Sequence, residues 1–382
     1  MDHSTPAHCC ATDPTAGPTG SRTPRPRRRR AVAAGALLAT ALAGTPAAAT
    51  AADAPEVHVV AEGLVGPLSL DVQGNGDVVV AQSFAGLLTR VGADGTRTDL
   101  VTLPGAEVAG VSGASKGGAV YTHSEGQGPD AVARVERVDR RGRVTVLADL
   151  AAHERETNPD GATTYGFRDL AASCLDQLPE EFPGRYTGEV YSHPYATAAR
   201  SGDRTVVADA GGNALLQVGP TGRARTLAVL PAQPATVTAD LAAGNGLPDC
   251  VVGSQYWFEP VPTDVEVGPD GSLYVSLLPG GPEDPSLGAR GSVVRVDGSG
   301  RTTTVLTGLL GATGVAVDGR GRVYATELFG GRVVRAVPGS TTGETVVDLP
   351  LPAAVEASRG DLWVSTDVLS ETGGAQVVRV DL

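Results

Sequence analysis

Acids, amides and hydroxyls recur at one repeated position of this 382-residue sequence. Gln82, Ser124, Asp209, Glu327 and Thr366 each close a short β-branched run; Leu277 is the exception, and His123 lies one residue earlier in its own run. Oxygen donors converging there would suit a ligand or a hard cation such as calcium, with Asp209 and Glu327 as the carboxylates. The same residues would also serve as strand caps bonded to the following turn.

Four other groups carry possible chemistry. Asp209-Ala-Gly-Gly-Asn213 resembles a phosphate or metal loop, but it lacks Walker spacing and a lysine, and a Gly/Asn turn accounts for it. His193, with Tyr195, offers a base or a ligand. Beyond residue 50 the only other histidines are His58, His123 and His153, and no H-x-x-x-H or H-E-x-x-H spacing occurs. Tyr256-Trp257-Phe258-Glu259 is the one aromatic cluster in a chain with 4% aromatics. It suits stacking on a sugar or ring, or pinning of its own loop. Glu259, Asp264, Glu283 and Asp284 offer paired carboxylates for acid–base work, or a merely acidic surface. No serine sits in a G-x-S-x-G elbow.

The elements that position these groups are repeats. VPTDVEVGPDGSLYVS and GSVVRVDGSGRTTTVLTG are followed at once by GATGVAVDGRGRVYAT and GGRVVRAVPG. Runs of period two between Gly/Asp turns read as antiparallel strands, and a unit of roughly 40–50 residues is a propeller blade. Extending the pattern gives six first, six second and six third strands but only five fourth strands. Glu56–Leu64 matches the missing fourth, so the expected fold is all-β, a six-bladed β-propeller in which the N-terminal strand closes the last blade. Residues 52–382 form that single domain. The first-to-second and third-to-fourth turns are short. All long insertions (151–194, 231–262 and 279–291) fall on the opposite set, hence on one face. Long loops in a compact domain are where function is sought.

Residues 1–51 differ in kind. Arg22 to Arg30 are basic, Ala31 to Gly44 apolar, and 45–52 small, the form of a signal peptide cut near 49–52. The apolar run is too short to span a bilayer, so no transmembrane segment is expected after processing. Beyond residue 50 the balance is 24 basic to 41 acidic residues, net −17. That excludes nucleic acid as the expected partner. Cys174 and Cys250 remain after the leader, an even pair in an exported chain, and are expected to form a disulfide clamping two insertions.

The stretches NPDG (158–161), SHPYA (192–196), VADAGGNALLQV (207–218), GLPDC (246–250), YWFEPVPTDVEVGPDGSLYVS (256–276), LPGGPEDPSLGARGSV (278–293) and ELFGGRV (327–333) together resemble the ScyD/ScyE family. These are secreted, propeller-like proteins named for genes accompanying scytonemin pigment synthesis. The family's N-P-Y-G wording is matched in part by Thr164-Tyr165-Gly166 and by His193-Pro194-Tyr195. The resemblance implies an exported repeat protein and no agreed reaction. Two functions follow as expectations. The first is a module binding a small molecule, glycan or protein on its long-loop face. The second is a calcium-dependent, lactonase-like hydrolase with Asp209, Asn213, Glu259, Asp264 and Glu327 as ligands and base.

Overall fold

The structure is a computed structural model describing residues 54–114, 117–128, 130–281 and 287–382. The leader, Glu283 and Asp284 lie outside the described residues. Among those described, no helix is long and apolar enough to cross a membrane.

Strands pair into seven four-stranded antiparallel sheets. Sheet I contains Pro67–Val72, Val78–Gln82, Leu87–Val91 and Arg97–Thr102. Sheet II contains Glu107–Gly113, Ala119–Glu125, Val132–Val138 and Val144–Asp149. Sheet III runs from Pro194–Arg200 to Ala224–Val229, sheet IV from Pro262–Val267 to Thr302–Leu309, and sheet V from Ala312–Val317 to Gly343–Asp348. In each, consecutive strands pair in order. Sheet VI has Val355–Ser358, Asp361–Thr366 and Ala375–Val380, and its fourth strand is Val57–Leu64 from the other end of the chain. Val57 lies opposite Val380 and Val59 opposite Val378. The closing strand foreseen from its likeness to the other fourth strands is therefore present.

First strands of neighbouring sheets contact one another from I through VI, and that of VI returns to that of I. Six apolar clusters fill the spaces between successive sheets. One, for example, joins Val206 and Leu215 of sheet III to Val265 and Val275 of sheet IV, and another joins Ala61 and Val377 of sheet VI to Leu70 and Val80 of sheet I. Second strands are packed on both faces and mostly buried, Val78–Gln82 along its whole length. Fourth strands are half in water, and Arg97–Thr102 buries only Val101. Truncating a side chain in these seams, Leu215→Ala for instance, costs about 2–5 kcal/mol. Inner strands approach closely. At Gly110 (φ +39°) a Cβ would fall 2.8 Å from the Ala196 backbone, so only glycine fits.

The seventh sheet lies outside this cycle. Its strands, in the order Arg185–Thr187, Thr164–Phe167, Gln255–Phe258 and Gln233–Thr236, come from the insertions on either side of sheet III. Its core gathers Phe167, Cys174, Val237, Ala242, Val251 and Tyr256. Cys174 and Cys250 are disulfide-bonded, closing 76 residues. The third insertion meets the same unit, with Gly280 N–H donating to the Glu259 carbonyl and the Arg290 guanidinium lying over the Phe258 ring. The first two insertions, read from sequence as loops, form one built unit, which the described ends of the third touch. Its strands are only three or four residues long, too short to show alternation.

Candidate functional site

Four of the second-strand ends fasten the linker entering their own sheet. Gln82 Oε1 accepts from Val65 N–H, Glu327 Oε2 from Leu310 N–H, and Asp209 Oδ1 from His193 N–H, while the Thr366 hydroxyl donates to the Pro350 carbonyl. Glu327 also accepts from Arg332 Nε. Asp209 and Glu327, the expected cation pair, belong to sheets III and V. His123 belongs to sheet II, where its Nδ1 is 3.3 Å from Glu136 Oε1 and the Tyr121 hydroxyl donates to the other oxygen at 2.6 Å.

Asp264 lies elsewhere, on the innermost strand of sheet IV. With Glu266, Glu356 and Asp71 it faces the axial space enclosed by the first strands. Asp71, Glu266 and Glu356 occupy one repeat position, legible in LSLDV, TDVEV and AVEAS but missed in the sequence. Several of these acids tie neighbouring sheets together. Asp264 Oδ2 accepts from Val315 N–H of sheet V, and Asp71 Oδ1 accepts from Gly113 N–H of sheet II. Burial pushes Asp264 up to about 7 against those bonds. Burial and then the charge of Asp264 push Glu266 up to about 8. Glu356 rises for the same reasons, burial first and Glu266 second. The cavity between them is about 10 Å³, the threshold for one water.

The structure brings Asp209, Asn213, Glu259, His193 and Tyr195 together under the insertion unit. Asn213 Nδ2 donates to Asp160 Oδ2 at 2.9 Å and to Glu259 Oε2 at 3.3 Å, while Val261 N–H donates to Asn213 Oδ1. The Tyr165 hydroxyl donates to Asp160 Oδ2. Asp209 accepts from the Ser192 hydroxyl at 2.6 Å and from the backbone of His193 and Gly212. The His193 ring stands 2.5 Å from Glu107 Oε2 and edge-on to Tyr195. Burial would lower the His193 pKa, but the Glu107 carboxylate outweighs it and the net shift is upward.

Two carboxylates that sequence reasoning missed complete this seam. Helix Leu150–Thr157, capped by Asp149 accepting from Ala152 N–H, carries Glu154 inward at 1% exposure. Asp160, of the NPDG stretch, is wholly buried. Both Glu154 oxygens and Asp160 Oδ1 have no hydrogen-bond partner. Burial, then Asp209, then Asp160, push Glu154 up to about 8. Glycines make the approach possible: a Cβ on Gly188 would stand 1.9 Å from Asp160 Oδ1, and one on Gly212 would stand 3.0 Å from Glu154 Oε2.

The aromatic cluster is mostly core. Tyr256 packs edge-on against Phe167 and donates to the Pro183 carbonyl. Trp257 is half-buried with the Arg168 guanidinium 3.9 Å above its ring. On the side of the short turns, a cavity of about 490 Å³ opens between sheets II and III, lined by Arg137, Arg200 and Arg204 among others.

No family model matches the sequence, and no curated protein is similar to it. Solved structures are similar in fold. A gluconolactonase from Xanthomonas campestris matches 86% of this chain and 90% of its own, with 14% identity and TM-score 0.52. A glucose dehydrogenase matches 86% and 100%, with 12% identity and TM-score 0.52. Virginiamycin B lyase from Staphylococcus aureus matches 86% and 100%, with 15% identity and TM-score 0.46. The fold is a β-propeller. At such identities the likeness reaches no further than the fold.

Proposed function

We propose that this chain is an exported six-bladed propeller of ScyD/ScyE type that binds a glycan or protein partner through its insertion unit. The six sheets packed in a cycle are its blades, and the seventh sheet is an addition seated on them. Membership rests on the long motif stretches from NPDG to ELFGGRV. Export is supported by the form of residues 1–51 and by the Cys174–Cys250 bond, which belongs to an oxidising compartment. The carrying observation is that the first two insertions unite into one disulfide-tied sheet presenting half-buried Trp257 under Arg168. An aromatic face beside a guanidinium suits sugar rings and peptide carbonyls. Purified protein on glycan and peptide arrays is expected to retain ligands at least tenfold less well in W257A and R168A. Retention that depends instead on Arg200 and Arg204 would move binding to the opposite face.

The rival reading is a calcium-dependent, lactonase-like hydrolase. The axial cavity of about 10 Å³ admits an ion or a water but no lactone ring. Calcium-dependent lactone turnover abolished by D264N would replace the binding reading.

A further inference from the structure

We propose that Glu154, Asp160 and Asp209 hold one calcium ion, which fastens the insertion unit to blade III. The site would be distinct from the axial acids. The inference stands apart from the partner-binding reading, because it concerns how the unit is held rather than what it holds.

Three features carry it. First, the seam buries three carboxylates at 0–1% exposure, and only acids act on Glu154 through their charge. Burying like charges without a cation is costly. Second, both oxygens of Glu154 and one of Asp160 lack any hydrogen-bond partner. Protonation would ease the charge on Glu154 but still leave a buried O–H with no acceptor. Oxygens sharing a proton sit within hydrogen-bond distance, whereas oxygens sharing a calcium at about 2.3–2.6 Å each stand farther apart. Third, Gly212 leaves the space beside Glu154 clear. The point its Cβ would occupy is 3.0 Å from Glu154 Oε2 and 3.6 Å from the Asp209 carboxyl carbon.

The donor set is all oxygen, which suits calcium rather than zinc or copper. The ligands come from three places: helix Leu150–Thr157, the loop after it, and the end of the second strand of blade III. One ion would therefore join the first insertion to the blade. Three oxygens of this set do not lie within 4.8 Å of one another, a convergence that Glu56, His58 and Asp381 alone reach among the described residues. Binding would require these oxygens to move closer together. The exposed trio supplies the necessary control.

The test uses the full mature chain, stripped with chelator and titrated with calcium chloride by calorimetry and by thermal melting. One calcium per chain and a Tm that rises with calcium concentration are expected. E154Q and D160N should each weaken binding at least tenfold. E154Q should also melt near the Tm of stripped wild-type protein, because glutamine matches the size of the protonated acid; this keeps the variant informative about folding. E56Q should bind as wild type does. Absence of any binding heat together with an unmoved Tm would overturn the proposal. So would binding that survives E154Q and D160N but is lost in E56Q.

Discussion

Two groups of buried acids in this propeller have opposite fates. Of the axial acids, Asp71 and Asp264 accept backbone N–H groups from the next blade. The acids beneath the insertion unit include Glu154, with no partner at all, and Asp160, with one oxygen unmet. The axial set resembles mortar: its charge is costly, but its hydrogen bonds join blades, and what it cannot neutralise it protonates. The seam set is built as if for an ion. Acid count alone does not separate the two groups; the tally of unmet oxygens does.

The largest effect expected is on the wall that encloses the seam. Replacing Cys174 and Cys250 by serine removes a 76-residue closure, worth about 4 kcal/mol in the chain-entropy model. The insertion unit should then exchange its amide protons well before the blades do, as read by hydrogen exchange. If both regions lose protection together, the unit has no stability of its own and the comparison fails.

Next comes Asp209, the residue that binds both linker and seam. Asp209→Ala leaves the Ser192 hydroxyl and the His193 and Gly212 N–H groups unpaired, costing about 2–4 kcal/mol in denaturant unfolding. Glu327→Gln keeps an acceptor for Leu310 N–H and should cost less, about 1–2 kcal/mol. Equal losses at the two positions would deny the seam any special standing.

A pH-dependent effect belongs to the axial acids. Asp264 and Glu266 hold protons in the folded state up to about 7 and about 8, whereas an unfolded chain releases them near 4. The folded state therefore binds more protons across that interval, and stability falls as pH rises from about 4.5 through about 8. Glu266→Gln should be nearly neutral at pH 5 and stabilising at pH 8, measured as urea midpoints in chelator. A midpoint difference that does not grow with pH would contradict the axial assignment.

Much of this architecture was legible in the residues. VHVVAEGL reads as an outer strand wherever it sits, and the short Gly/Asp turns made the alternation of blades countable. The seventh sheet was not legible, because Arg185–Thr187 and Thr164–Phe167 have too few residues for a period, and Thr164–Phe167 pairs with Gln255–Phe258 about 90 residues away. Asn213 and Glu259 were picked out by type and do meet. Glu154 was passed over because it lies in a stretch read only as a long insertion, and only tertiary packing turns that one acid inward. Asp264 and Glu327 were grouped with the seam by type alone. Their strands point them to the axis and to blade V, a separation that linear order does not encode.

The most direct measurement is anomalous diffraction from crystals of the mature chain in which terbium replaces calcium. A single strong peak among Glu154, Asp160 and Asp209, with none between Asp264 and Glu356, is the predicted result. A peak on the propeller axis, or one confined to Glu56, His58 and Asp381, would contradict it.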